Sequence, residues 1–534
     1  MDGVVDERLL APETTDAFLW IVIVGGIGAF FAAFGIGAND VANAFATSVG
    51  AKAITLKQAV VLAGVFEFLG AVLMGSHVTK TIRKGIVDVR PMHVPVDCQA
   101  ECFTDNPPIL MYGMMCVVYT TGLWLLTASF FELPVSTTHS TVGGIVGMGM
   151  TYRGPKCVNW HEDTDTFPFM KGISAIVLSW VISPVFSGIL ATILFATVRQ
   201  FVLRSESSFK RSFIVFPLLV AATVTVNVFF IVYKGAKGLD LDETPLNVAF
   251  AWAFGLGIGV AILMIPTLLP YIYKTVRSKY TEEGILRTSA PSSATSPDTV
   301  GDMQEEGHAD THVKGGIIAF VNGQLNQDIH RSVKESETVS TIHERAERFH
   351  PNSEEVFKYM QVFTAICDSF SHGANDVANA MGPFAAIYVV YTTGEVRQEG
   401  ELGTSAYWIL VIGGLGIVAG LGLYGYKIIG AIGVKICKIT PSRGFAIELG
   451  AAMVILIGSR LEIPLSTTHC QVGATAGVAI LEGIGGLNMT VLSKAIFGWV
   501  ATLVVCGIMA AVLFSQGAYA PYAFDVTPTN TASL

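Results

Sequence analysis

Four short clusters in this chain carry the groups that could do chemistry, and they come as two pairs. The octapeptide GANDVANA occupies residues 37–44 and returns unchanged at 373–380. On a helix, Asn39 and Asn43 are four residues apart and Asp40 and Asn43 three, so the trio converges on one face. Asn375, Asp376 and Asn379 do the same. Each copy presents a carboxylate and two amide oxygens, the hard-oxygen set that suits a small cation. Interhelical hydrogen-bond glue would explain one such copy. Gly37 and Gly373, which permit a helix to unwind ahead of the acid, favour the ligand role for both.

The second pair is LPVSTTHSTVGG at 133–144 and IPLSTTHCQVGA at 463–474. Pro134 and Pro464 cannot continue a preceding helix, and Ser136, Thr137 and Thr138, like Ser466, Thr467 and Thr468, are good caps for a new one. A half-helix starting there aims free amide N–H groups, its positive dipole end and up to three hydroxyls at one point. An oxyanion can be held this way without Lys or Arg, and neither triplet contains one. The plainer alternative is ordinary capping of a kinked helix. His139 and His469, which end the motif, read as supporting or packing residues. Glu67 and Glu448 are two further acids in apolar context, with a snorkelling helix-end Glu as the plain alternative. Each follows an Ile-Thr pair at a different spacing, which leaves their equivalence open. Asp368 and His372 add polarity to the second half only, where the first has Ala32 and Ile36.

Such groups need elements to hold them, and composition says which. Of 534 residues, 51% are hydrophobic and 14% charged, against about 25% charged in soluble domains. The expected class is an all-α polytopic membrane protein with two inverted repeats. It should have about ten to twelve transmembrane helices, including broken helices or re-entrant hairpins. Apolar stretches such as 17–48 and 356–390 exceed a single span, whereas 445–459 falls short of one. That stretch and 463–481 are expected to form a re-entrant hairpin with Ser466–Thr468 at its tip. Residues 17–276 and 356–515 are the two expected membrane halves. They are joined by a polar, partly disordered segment, 277–355, and flanked by polar ends at 1–16 and 516–534.

Orientation is weakly written. The acidic N-terminus suits an outside start, and Arg199, Arg204, Lys210 and Arg211, with Lys427, Lys435, Lys438 and Arg443, are inside candidates. Lys80, Arg83, Lys84 and Arg90 would fall outside by counting, in conflict with that rule. Cys98 and Cys102 stand in a polar loop, as a local disulfide or as two free thiols. A net charge of -9 argues against a nucleic-acid partner. No nucleophile–base–orienter set or transition-metal cluster marks an enzyme.

Internal repeats with ionisable residues at membrane depth point to a secondary transporter whose site lies where the halves meet. The duplicated GANDVANA and P-[VL]-STTH, with KTIRKGIVD at 80–88 and HGANDVANAMGP at 372–383, closely resemble the inorganic phosphate transporter family, the type III sodium–phosphate symporters. The resemblance covers roughly 17–201 and 356–515. It implies a helical inverted-repeat fold, a long cytoplasmic central loop and cation-driven phosphate uptake at a membrane, expected to be the plasma membrane. It further implies phosphate at Asp40, Asn43, Ser136, Thr137, Thr138, Asp376, Asn379, Ser466, Thr467 and Thr468. Sodium, the coupling ion rather than a cofactor, is implied at Asn39, Asp40, Glu67, Asn375, Asp376 and Glu448. Asp368 departs from the family pattern. Proton coupling, or a cation exchanger or channel using the acid–amide sites alone, is the competing reading. A homodimer stays open.

Overall fold

The computed structural model describes residues 17–40, 42–84, 103, 106–165, 169–233, 241, 244–280, 323–396, 407–461, 463 and 465–519. Residues 1–16, Arg90, Cys98, Cys102, Pro464 and 520–534 lie outside them, and with them those expectations. Nine helices among the described residues are long and apolar enough to cross a membrane. The chain is a multi-pass membrane protein.

The first repeat opens with α1 (Leu19–Asn39) and α2 (Ala42–Gly50), two pieces of one spanning element. Then come α3 (Leu56–Lys84), α4 (Pro107–Phe130), α5 (Thr137–Arg153) and α6 (Ile173–Val198). Two helices, α7 (Ser208–Val232) and α8 (Leu246–Lys279), follow without a counterpart among the described residues of the second half. Short α9 (Arg331–Glu335) and α10 (Glu337–Arg345) precede the second repeat. That repeat runs through α11 (Pro351–Thr393), α12 (Tyr407–Tyr424), α13 (Tyr426–Gly430), α14 (Pro441–Arg460), α15 (Thr467–Ile480) and α16 (Met489–Tyr519).

Side-chain contacts fix the inverted relation. Phe103, ahead of α4, stacks on Tyr152 at the end of α5, so that hairpin enters and leaves on one face. Arg443, opening α14, pairs with Glu482 beyond α15, so the second hairpin enters and leaves together as well. The 26-residue α6, roughly 39 Å long, separates Cys157 before it from Arg199 after it. Arg199 donates to the Leu481 carbonyl at the foot of α15, which puts the second hairpin on the face opposite the first. The halves also exchange partners: α5 packs on α16 and α15 on α6, α11 on α3 and α1 on α12.

Close helix approach explains the motif glycines. A Cβ at Gly37 would run into the Ile417 carbonyl of α12, and one at Gly373 into the Glu67 carbonyl of α3. These glycines permit packing, as small residues do between membrane helices. They do not mark unwinding: α11 runs unbroken through its motif, and α1 stays helical through Gly37 to Asn39.

Part of the segment expected to be solvated is ordered. The amphipathic α10 buries Val339 and Ile342, capped by the Ser336 hydroxyl accepting from the Val339 N–H. Glu347 then bridges Arg199 (2.5 Å) and Arg204 (2.8 Å), and its carbonyl accepts from Arg443. This clasp holds the segment to a face rich in basic residues. On the other face, Cys157, which the sequence analysis did not single out, is disulfide-bonded. The described cysteines Cys116, Cys367, Cys437, Cys470 and Cys506 are free.

Candidate functional site

Both hairpin turns exist because Ser-Thr-Thr starts a helix. Ser136 and Ser466 are extended, and their hydroxyls accept the N–H groups of His139 (3.2 Å) and His469 (3.3 Å). The capping role expected as the plainer alternative is therefore real for these two serines. The threonines that follow turn to the acids. Asp40 accepts from Thr137 of its own half at 2.6 Å and from Thr468 of the other half at 2.5 Å. Thr467 donates to Asp376 at 3.1 Å. Asn43 reaches both Asp40 (2.9 Å) and Thr468 (3.0 Å), while Asn379 reaches Thr137 (3.0 Å) and Thr138 (3.3 Å). The turns touch directly: Thr138 donates to the Leu465 carbonyl, and the Thr468 hydroxyl lies against that of Val135, each at 3.0 Å.

Single oxygen or nitrogen atoms of Asp40, Asp376 and His372 lie within 4.8 Å of one another. The motif acids, far apart in sequence, thus share one centre where the halves meet. Asp40, Asn43, Asp376, Asn379, His372 and the Ser-Thr-Thr residues of both turns are each at most 1% exposed, so the centre is closed from both sides. Two carboxylates 4 Å apart repel by roughly 4 kcal/mol at an effective dielectric of 20, and both of these are fully buried. Inside the centre the basic partner is His372, whose Nδ1 lies 3.3 Å from Asp376 and Nε2 3.8 Å from Asp368. The Oδ1 atoms of Asn43, Asn375 and Asn379 accept no hydrogen bond among the described residues. The arrangement therefore offers acceptor oxygens to a cation, with hydroxyls and two helix starts adjacent for an anion.

Not every expected site residue enters this centre. Asn39 spends both ends of its amide on the first hairpin, donating to Ser129 and the Leu133 carbonyl and accepting from the Val135 N–H, all at 3.0 Å. It is a brace, because its side chain points from α1 toward the turn before α5. Asn375 is divided, donating to Asp376 (3.0 Å) and to the Leu465 carbonyl (3.2 Å).

Glu67 and Glu448 are not repeat equivalents. Gly373 faces Glu67 as Gly37 faces Ile417, so Ile417 is the counterpart of Glu67. The residue as far before Ser136 as Glu448 is before Ser466 is Val118. Each acid is therefore single. Glu448 accepts from Thr47 (2.5 Å), Ser48 (2.7 Å), Gln361 (3.2 Å) and Thr364 (2.6 Å). Glu67 has His372, Asp376 and Asp368 as its charged neighbours.

Sequence reasoning missed the Glu448 partners, although a signal was there. Gln361, Thr364, Asp368, His372, Asp376 and Asn379 follow one another at helical spacing of three or four along α11. Missed too were Trp180 and Trp499. His139 packs on the first at 4.1 Å and His469 on the second at 3.8 Å, with the imidazoles 4.6 Å apart. Each Nδ1 faces the other tryptophan's carbonyl, which can only accept, so both rings are packing groups with the proton on Nδ1.

The phosphate transporter family matches residues 36–510 of this chain. The phosphate-repressible phosphate permease pho-4 of Neurospora crassa is 29% identical over 93% of this chain and 97% of its own length. Sodium-dependent phosphate transporter 1 of Mus musculus is 27% identical over 94% and 96%. A solved structure titled as the sodium-dependent phosphate transporter superposes with a TM-score of 0.68 at 32% identity, covering 93% of this chain and 99% of that one.

Proposed function

Because the chain belongs to the phosphate transporter family, we propose that it carries inorganic phosphate across a membrane in symport with sodium. It is a transporter and not an enzyme. The observation that carries the sodium reading is the buried meeting of Asp40 and Asp376 with the hydroxyls of both turns. Phosphate brings one or two negative charges, and each unit pair at 4 Å from a carboxylate adds roughly 4 kcal/mol of repulsion at a dielectric of 20. Anion binding there is unfavourable unless cations enter first or together. Thr137, Thr138, Thr467 and Thr468, with the helix starts they open, hold the anion. Asp40, Asp376, Asn43 and Asn379 sit between it and the cations. Glu448, within its ring of Thr47, Ser48, Gln361 and Thr364, takes a further cation on the side of the centre nearer the basic face.

Symport needs both faces to reach this centre in turn. The two hairpins, entering from opposite faces and touching at Thr138–Leu465 and Thr468–Val135, are the elements whose parting opens it. The basic face is read as cytoplasmic on the positive-inside rule. A disulfide at Cys157 suits the opposite, oxidising side, consistent with the plasma membrane. The test is radiolabelled phosphate uptake into proteoliposomes of the purified chain. An inward sodium gradient should drive accumulation, and choline in its place should not. Accumulation driven by a proton gradient without sodium would replace sodium with protons, and sodium flux without phosphate transport would make the chain a cation exchanger or channel.

A further inference from the structure

Away from the centre, the helices without a repeat counterpart carry a feature that transport does not use. Where α7 begins, α8 ends and α11 is about to start, a groove of about 760 Å³ opens on the basic face. Its rim carries Lys210, Arg277 and His350, with Glu206 as the opposing acid and Ser207 at the start of α7. Arg277 is set 5.2 Å over the Tyr273 ring, which itself meets Phe213 at 5.7 Å, so the guanidinium stands on an aromatic platform. Below the rim the lining becomes apolar. Ile214 and Ile265 are exposed at 60% and 52%, and Leu269 lies beside them. Leu269 and Ile265 sit two and three turns before Arg277 on α8, roughly 12 and 18 Å deeper in the membrane.

A cationic rim at the membrane surface continuing into an apolar wall matches one ligand architecture, an anionic headgroup joined to acyl chains. We propose that this groove is a binding site for an anionic phospholipid, with the headgroup phosphate held by Lys210 and Arg277 and an acyl chain lying along Ile214, Ile265 and Leu269. Charge complementarity selects the occupant, since among the described lining residues Lys210 and Arg277 outnumber the single acid Glu206. The apolar depth separates it from a free anion site, which would gain nothing from that wall. Because α7 and α8 occur once, the site occurs once per chain. Through His350 and Asn352 it abuts the start of α11, the helix that carries Asp368 to Asn379.

The experiment titrates dioleoyl phosphatidylglycerol into the delipidated full-length protein in uncharged detergent, reading bound lipid by native mass spectrometry. Phosphatidylcholine serves as the control lipid and inorganic phosphate as competitor. Saturable retention of phosphatidylglycerol over phosphatidylcholine is expected. The double variant K210Q/R277Q should bind phosphatidylglycerol roughly 30-fold more weakly, the loss that two basic residues beside an anionic headgroup predict. Leu269→Trp, which fills the apolar wall and keeps every charge, should weaken it too and gives a second reading if the charge variant fails to fold. Equal retention of both lipids, or parent-like binding by the folded variants, would overturn the proposal. Displacement of the lipid by inorganic phosphate would also overturn it, by making the rim a free-anion site.

Discussion

The bond from Thr468 of one half to Asp40 of the other shows what a single residue does here, since it makes one carboxylate answer to both hairpins at once. Asp40→Asn keeps one acceptor oxygen, turns the other into an amide donor, and takes the charge out of both short hydroxyl bonds. Hydrogen bonds to charged groups are worth about 1.5–3 kcal/mol each. Asp40→Asn and Asp376→Asn should therefore each lower phosphate uptake by at least about 100-fold while the protein still reaches the membrane. Parent-like initial rates in proteoliposomes would remove that acid from the mechanism. Glu448 allows a sharper split, because it receives four donors yet makes no direct bond to the described residues of either turn. Glu448→Gln is expected to raise the sodium concentration needed for half-maximal uptake and leave phosphate affinity at saturating sodium near the parent's. A change confined to phosphate affinity would contradict that role. The Asp, Thr and Asn residues of the centre were legible because they recur as identical motifs. Glu448 and Glu67 were legible only as acids out of place, since neither is duplicated and their partners come from other helices. Asn39 could not be told from Asn43 in the sequence, because which way an amide points depends on the helices packed beside it.

Among the elements, the hairpins were the most legible, each announced by a proline and a capping triplet that no continuous helix tolerates. The motif glycines were legible as special but for the wrong reason: what decides them is a neighbouring backbone, invisible to local pattern. Gly37→Ala and Gly373→Ala should each destabilise the protein by about 1–3 kcal/mol, the usual result of forcing a methyl into a packed interface. Thermal unfolding in detergent measures this, and an unchanged midpoint in both variants would refute the close-packing account. The clasp on the basic face was the least legible, since a polar segment binding through Glu347 differs little in composition from one that floats. Partial burial works against ionising Glu347. The bonds from Arg204 and Arg199 outweigh it and hold the carboxyl below its ordinary value of 4.5. A depressed carboxyl contributes stability above its unfolded value and loses it as pH falls through its folded one. The clasp should thus be indifferent to pH near neutrality and loosen only below about 4.5. Glu347→Gln should expose 331–350 to proteases at pH 7, and protection equal to the parent's would show that the clasp does not hold the segment.

At the scale of the whole molecule, inversion explains why one sequence motif can serve two faces. Hairpins entering from opposite sides deliver the same Ser-Thr-Thr turn to one point, and the motif acids stand between them. The repeats made the architecture readable from sequence. The apolar stretches of α7 and α8 were readable as well; the exchange of partners between halves was not, because it depends on which surfaces meet. The central claim is that buried carboxylates make phosphate binding depend on sodium, and linkage requires that each raise the other's affinity by the same factor. Equilibrium phosphate binding to the purified protein, at fixed pH with sodium titrated against choline, tests it most directly. Phosphate affinity should climb with sodium and level off when the acids are occupied. A flat affinity across the titration, or one that climbs only on acidification, would contradict sodium coupling.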